Sequence, residues 1–290
     1  LEDCDFDQDF SEQLSELISE ASKTVPSLSI SFQNSPETNL WMEWISDLGS
    51  VSSENRLEYL EVDFGFATEG VQDALGDLSS WLSAENIQCQ LPRKIDLILN
   101  NCKIDKDNFV IFVGNTVKSE QVCDHLTIDF SYNNVYRDGI FSTYIADLLS
   151  DRSRLPTNKS LTLNFSSCGL GNDGFIEIME SLVGMYHDNH CNDPLKLDLI
   201  LSDNRINHTG LIHLLSSIFP ACIKASIKVP ENFSLDLSVD SMGDNNELDR
   251  SDIACVQISN LFSSIQNLPV GFTLNIRGCC SADTDEMIVE

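Results

Sequence analysis

LDLILSDNRINHTGL, residues 197–211, decides how the rest of the chain is read. Leu197, Leu199 and Leu201 alternate with Asp198, Ile200 and Ser202, the period-two signature of a short strand with one buried face. Counting from Leu197, Asn204 stands at position 8, Ile206 at position 10 and Gly210 at position 14. Three more segments align with it without gaps: IDLILNNCKIDKDNF from Ile95, LTIDFSYNNVYRDGI from Leu126 and LTLNFSSCGLGNDGF from Leu161. In chain order, position 8 is Cys102, Asn133, Cys168 and Asn204, and position 10 is Ile104, Val135, Leu170 and Ile206. Position 14 is Gly139, Gly174 and Gly210, with Asn108 in the earliest copy.

Each copy reads as strand, turn and helix. Asn or Cys at position 8 suits a side chain that bonds or packs where the backbone turns inside a stack. Gly at position 14 suits a tight entry to the helix that follows. The helices are amphipathic: Phe175, Ile178, Met179, Leu182 and Val183 share one face, as do Ile140, Tyr144, Ile145, Leu148 and Leu149. One such unit cannot bury its own apolar face, so copies must stack. Weaker copies extend the array. Leu28, Ile30 and Phe32 give a first strand. Leu60, Val62 and Phe64 give a second, with Gly70 fitting a register shifted by a few residues. Leu235, Leu237 and Val239 give a seventh strand with Met242 at position 8, and Phe272, Leu274, Ile276 and Cys279 give the last. The spacing between strand starts is about 31 to 38 residues, a long repeat.

The pattern LxLxx[NC]xLxxxG followed by a helix resembles the ribonuclease-inhibitor-like class of leucine-rich repeats, over roughly residues 28 to 280. The resemblance implies an α/β solenoid of about eight repeats, shaped as a horseshoe, with parallel strands on the concave face and helices on the convex face. Residues 27–280 then form the repeat domain. Residues 1–26 form an N-terminal capping helix on Phe6, Phe10, Leu14, Leu17, Ile18 and Ala21, and residues 281–290 an acidic tail. Long irregular repeats and such a tail also resemble the leucine-rich-repeat effectors of intracellular bacteria of the Legionella type, which implies a virulence role and translocation into a host cell.

The net charge is −29, from 46 acids and 17 bases. A polyanion of this kind repels nucleic acid and anionic lipid and favours basic partners. No apolar run is long enough to span a membrane, and the opening LEDCDFDQDF is acidic where a secretory leader is basic, so neither membrane nor signal peptide is expected. The 10 cysteines include no CxxC pair, and Cys102, Cys168 and Cys279 fall at the buried repeat position. Free thiols point to a reducing, cytosol-like compartment.

In such a solenoid the residues between the buried aliphatics face the hollow. They are Asp96, Ile98, Asn100, Thr127, Asp129, Ser131, Thr162, Asn164, Ser166, Asp198, Ile200 and Ser202, joined by Glu61, Asp63, Asp236, Ser238, Asp240, Thr273, Asn275 and the base Arg277. Ile98 and Ile200 read either as incidental surface aliphatics or as anchors in a polar surround. Tyr132, Asn134, Asp203, Arg205 and Lys103 follow the strands, and the insertions 150–159, 186–194 and 240–252 read as rim loops. The partner-contacting set is taken as Glu61, Asp63, Asp96, Ile98, Asn100, Thr127, Asp129, Ser131, Tyr132, Asn164, Asp198, Ile200, Asp203, Arg205, Asp236 and Asp240.

Catalytic motifs are missing. His187, His190 and Cys191 lack metal-ligand spacing, the 240–252 loop lacks the order of a calcium loop, and there is no phosphate-binding glycine motif. His208 and His213 are also off a common helical face. The expected function is therefore non-catalytic protein binding through an acidic face, with no cofactor and no metal. The partner is a protein with a basic surface, and if it is an enzyme, covering its active site would inhibit it. Two alternatives stay open: an adaptor that recruits a host protein without inhibition, and an enzyme using an unrecognised cysteine.

Overall fold

A computed structural model describes residues 13, 16, 17, 20, 21, 24–33, 57–67, 75, 76, 78, 92–104, 107, 109, 112, 123–133, 160–187, 196–218, 220, 232–238 and 272–275. Eight short strands run parallel and in chain order: β1 (Ser27–Ser31), β2 (Tyr59–Asp63), β3 (Lys94–Ile98), β4 (His125–Asp129), β5 (Ser160–Asn164), β6 (Lys196–Ile200), β7 (Asn232–Asp236) and β8 (Phe272–Asn275). The chain divides into two compact units. The first comprises 1–133 and 153–159, the second 134–152 and 160–290. The first holds β1 to β4 and the second β5 to β8.

Alternation in the sequence becomes alternation of burial. In β3, β4 and β6 the residues at positions 1 and 3 are buried while those beside them stay partly open. The register keeps equivalent residues level: Leu28, Leu60, Ile95 and Leu126 share a row in the first unit, and Leu161, Leu197 and Phe233 in the second. Phenylalanine recurs at position 5. Phe32 and Phe64 stack at 5.8 Å, and Phe130 takes edge contacts from Phe109 at 5.0 Å and Phe112 at 5.8 Å. Phe109 and Phe112 are helical, so the segment after β3 packs onto the buried side of the strands. In the second unit α1 (Gly171–His187) buries Phe175, Ile178 and Met179. Helix α2 (His208–His213) continues as a π-helical turn, Leu214–Ile218, burying Leu211, Leu214, Leu215 and Ile218.

The parallel ladder runs two residues past each strand. Phe66 N–H donates to Asn100 O, Asn101 N–H to Ser131 O and Ser167 N–H to Ser202 O, each at 2.9 Å. The chain then leaves the ladder abruptly. Position 7 is left-handed in five repeats, at Phe66 (φ 62°), Asn101 (50°), Tyr132 (60°), Ser167 (55°) and Asp203 (57°). That turn strands buried backbone groups, and position 8 satisfies them. Asn204 Nδ2 donates to Phe165 O (2.7 Å) and Ser202 O (3.2 Å), while its Oδ1 accepts from Cys168 N–H (2.9 Å) and Leu170 N–H (3.2 Å). Asn133 does the same work on the repeat before it. Its Nδ2 donates to Leu99 O at 2.7 Å and its Oδ1 accepts from Ile104 N–H at 3.2 Å. Cys102 makes one of these bonds, Sγ–H to Phe64 O at 3.0 Å. Asn133, Asn204 and Cys102 are thus bridges to the preceding repeat, and both asparagines are fully buried.

Four expectations are corrected. Phe233 pairs with Leu197, and Leu235 with Leu199, so the seventh strand starts two residues earlier than the Leu235–Leu237–Val239 reading. A shift of two preserves the faces, because side chains alternate with period two. Next, Gly174 and Gly210 lie inside α1 and α2, not at a tight helix entry. A Cβ on Gly210 would stand 2.8 Å from Asn172 Oδ1 and 3.1 Å from Phe175. The glycine therefore lets consecutive repeats approach. Then Leu17, helical as expected, is 66% exposed and does not pack as part of a cap core. Finally, Leu60 pairs with Ile95, which places Ala67 at position 8 of that repeat in place of the shifted register on Gly70. Phe6, Phe10, Leu14, Ile18, Val135, Gly139, Val239, Asp240, Met242, Ile276, Arg277, Cys279 and the tail 281–290 lie outside the described residues.

Two stability outcomes follow. Asn204→Leu leaves buried amides and carbonyls unpaired, and chemical denaturation should register a loss of about 3 kcal/mol or more. Gly210→Ala gains up to about 1 kcal/mol of helix propensity. It must also displace Asn172, whose Oδ1 accepts from Asn207 N–H and whose Nδ2 donates to Asn207 Oδ1. A net destabilisation of about 1–2 kcal/mol is expected, and a more stable variant would contradict this packing role.

Candidate functional site

The open face of the strands carries its polar residues in level rows. In the first unit one row is Ser29, Glu61, Asp96 and Thr127, and the next is Ser31, Asp63, Ile98 and Asp129. In the second unit the rows are Thr162, Asp198, Ser234 and Thr273, then Asn164, Ile200, Asp236 and Asn275. Ile98 therefore lies between two aspartates, and Ile200 between Asn164 and Asp236. Both isoleucines are partly open.

β3 and β6 share the sequence K-[IL]-D-L-I. Lys94 Nζ meets Asp96 Oδ2 at 2.7 Å, and Lys196 Nζ meets Asp198 Oδ2 at 2.9 Å. Both lysines are about half exposed, so water screens these pairs and each contributes little to stability. They nevertheless put one cation on each acidic face. The sequence reading stopped one residue short of them, because it counted outward positions from the first buried aliphatic.

The first unit elaborates this motif. Tyr59, level with Lys94, offers its single hydroxyl proton to Glu61 Oε2 (2.7 Å) and Asp96 Oδ2 (2.9 Å), and Lys94 Nζ sits 4.5 Å over its ring. Ser29 Oγ–H donates to Glu61 Oε1 at 2.6 Å. Burial and the two carboxylates push the Tyr59 phenol well above its ordinary range. Burial would raise Asp96 as well, but the hydrogen bonds from Lys94, Thr127 and Tyr59 outweigh it and hold that carboxyl below its ordinary value.

Position 4 has a job that the sequence reading did not assign. Asp63 Oδ1 accepts from Gly65 N–H, Asp129 Oδ1 from Ser131 N–H and Asp236 Oδ1 from Ser238 N–H, each at 2.8 Å, and Asn164 Oδ1 accepts from Ser166 N–H at 3.0 Å. These are Asx turns that close the strand ends. Gly65 also has no room for a Cβ, because Asn100 Oδ1 occupies that space. Asp63 takes further bonds from Gln33 Nε2 (2.6 Å) and Ser31 Oγ (3.3 Å).

Of the residues assigned to partner contact, Asp63, Ser131 and Asp203 are buried and offer little surface. Glu61, Asp96, Ile98, Asn100, Thr127 and Asp129 are partly open in the first unit, and Tyr132 is exposed there. Asn164, Asp198, Ile200 and Asp236 are partly open in the second unit, and Arg205 is exposed. Asp240 lies outside the described residues.

Chemistry is sparse on either face. Cys102, Cys123 and Cys168 are free and buried, and burial pushes the Cys102 thiol up to about 12, the direction opposite to that of a nucleophile. No group of three metal-ligating side chains occurs among the described residues. His187 ends α1, His213 sits 3.4 Å from Glu180, and His190 and Cys191 lie outside the described residues. No described helix is long and apolar enough to cross a membrane. No family model and no curated protein matches the chain.

The Tyr59 shift fixes the sign of a pH effect. A phenol whose folded pKa is raised contributes stability below its unfolded pKa of about 10 and loses it as pH rises toward the folded value. Raising the pH from 8 to about 10.5 should therefore lower the urea midpoint of the native chain more than that of Tyr59→Phe. Equal losses in the two proteins would contradict the hydrogen-bonded cluster.

Proposed function

We propose that the chain is a leucine-rich-repeat solenoid with strands on its concave face and helices on its convex face. On this reading it is a non-catalytic module that binds a protein with a basic surface. The observation that carries the binding reading is the pair of open strand faces, where Ile98 lies between Asp63 and Asp129 and Ile200 beside Asp236, and where, among the described strand residues, one lysine on each face pairs with an aspartate. Small polar residues and an apolar centre suit a preformed docking surface, which lowers the ordering cost of binding. The net charge of −29 steers a cationic partner toward it. Covering the active site of an enzyme is the form of this binding that the resemblance to ribonuclease inhibitor favours, and a reducing cytosol, bacterial or host, is the compartment that free buried thiols suit. The resemblance to bacterial effectors supports a role in virulence.

Asp129→Asn with Asp236→Asn gives a clean test, since asparagine keeps the Asx turn, as Asn164 does, and removes only charge. Capture of the partner, identified by mass spectrometry after co-purification from the native source, should slow several-fold and lose much of its salt dependence. Unchanged association by surface plasmon resonance at low salt would sink the acidic-face reading. Assay of the captured partner, with and without this chain, then separates inhibition from recruitment.

A further inference from the structure

Phe66 and Tyr132 are large aromatic residues left open at the strand ends of the first unit, 45% and 57% exposed. Both are in the left-handed conformation, which is strained for a side chain of this size and which asparagine or glycine would adopt more easily. Neither ring is buried to compensate. They hold the same position in alternate repeats. Phe66 N–H donates to Asn100 O and Asn101 N–H to Ser131 O, so the ladder holds Phe66, Asn101 and Tyr132 level to the end of the turn. With parallel strands about 4.8 Å apart, their backbones stand roughly 9–10 Å from each other, with the polar Asn101 between. Rings carried at that spacing leave room for a planar cation, which a ring face attracts from within about 6 Å.

The same two repeats carry Asp63 and Asp129 three residues earlier, astride Ile98. The partners of Asp63 are neutral donors, and Asp129 receives Ser131 N–H. Among the described residues neither carboxylate meets a cation. Three strand residues span about 10 Å, a distance that nearby basic side chains of one extended segment cover. In the second unit the equivalents of the two rings are Ser167 and Asp203, so the aromatic pair belongs to the first unit alone.

We propose that this end of the first unit is a clamp for an arginine-bearing segment of a protein partner. One guanidinium stacks between Phe66 and Tyr132, and a neighbouring basic side chain lies across Ile98 to the carboxylate of Asp129. Arginine fits better than lysine because its planar, weakly hydrated head stacks on rings and pairs bidentately with carboxylates. The proposal rests on the protein-binding reading and gives it a specific chemistry.

The probes are fluorescently labelled hexa-arginine and hexa-lysine peptides, of equal charge, titrated by anisotropy against the full chain at about 0.15 M salt, where diffuse attraction is screened beyond about 8 Å. Hexa-arginine should bind at least several-fold more tightly. Phe66→Asn with Tyr132→Asn should abolish that preference and leave hexa-lysine affinity as it was, because no charge changes and asparagine suits the backbone. Tyr132→Phe, which retains a ring, should keep the preference. Equal affinity of the two peptides for the native chain, or a preference that survives the double substitution, overturns the clamp. A preference lost in the double aromatic variant, alongside partner capture that ignores Asp129→Asn with Asp236→Asn, would uphold the aromatic stack and defeat both the Asp129 contact and the broader acidic-face reading, so the two fail separately.

Discussion

Where β2 to β6 end, the backbone turns left-handed and drops out of the ladder, and turn amides and carbonyls are buried with no strand beside them. A buried polar group without a partner costs about 1–3 kcal/mol, so a stack of such turns stands only if something supplies the missing bonds. Asn133 and Asn204 supply them by reaching into the turn of the repeat before, and Cys102 supplies one through its thiol. These bonds recur at three copies, which accounts for Asn or Cys at position 8 there, while Ala67 at the same position of the β2 repeat has no side-chain group to supply one. The bond from its thiol also gives Cys102 a structural role. A thiol that must donate a bond has to remain protonated, and burial of Cys102 ensures that it does.

The same economy shapes the open face. Asp63, Asp129 and Asp236 close the strand ends through their carboxylates, and Asn164 shows that an uncharged side chain does this equally well. Closing the turn therefore explains the side-chain shape but not the charge. The charge is the part that the proposed binding of a basic partner would use. Lys94 and Lys196 limit the repulsion within each face without cancelling it, since each is one cation among several carboxylates.

Much of this was legible in the residues. Period-two alternation located the strands, and the four clear copies fixed the register of β3, β4, β5 and β6, because a slip of one residue would turn every aliphatic to the wrong face. β7 was misplaced by two residues for the same reason: an even slip leaves the faces intact, so Leu235 looked as good a start as Phe233. The glycine of position 14 was noticed but misread, since its role is set by Asn172 and Phe175 from the preceding repeat and no local rule reveals that. The Asx turns could have been found from Asp or Asn at position 4 followed two residues later by Gly or Ser. Tyr59 and the two lysines could not be weighed without the register that sets Tyr59 beside Lys94 and Asp96. The exposure of Phe66 was likewise hidden, because an aromatic residue after a strand reads as core until the left-handed turn is seen.

The dependence of the turns on position 8 is most directly tested by amide hydrogen exchange in Asn204→Leu, under conditions where the variant remains folded. The amides of Cys168 and Leu170, which donate to Asn204 Oδ1, should lose most of their protection. The amide of Phe165, which donates to Ile200 O in the ladder, should keep its own. Undiminished protection at Cys168 and Leu170 would contradict the account, because the turn would then hold without its bridge.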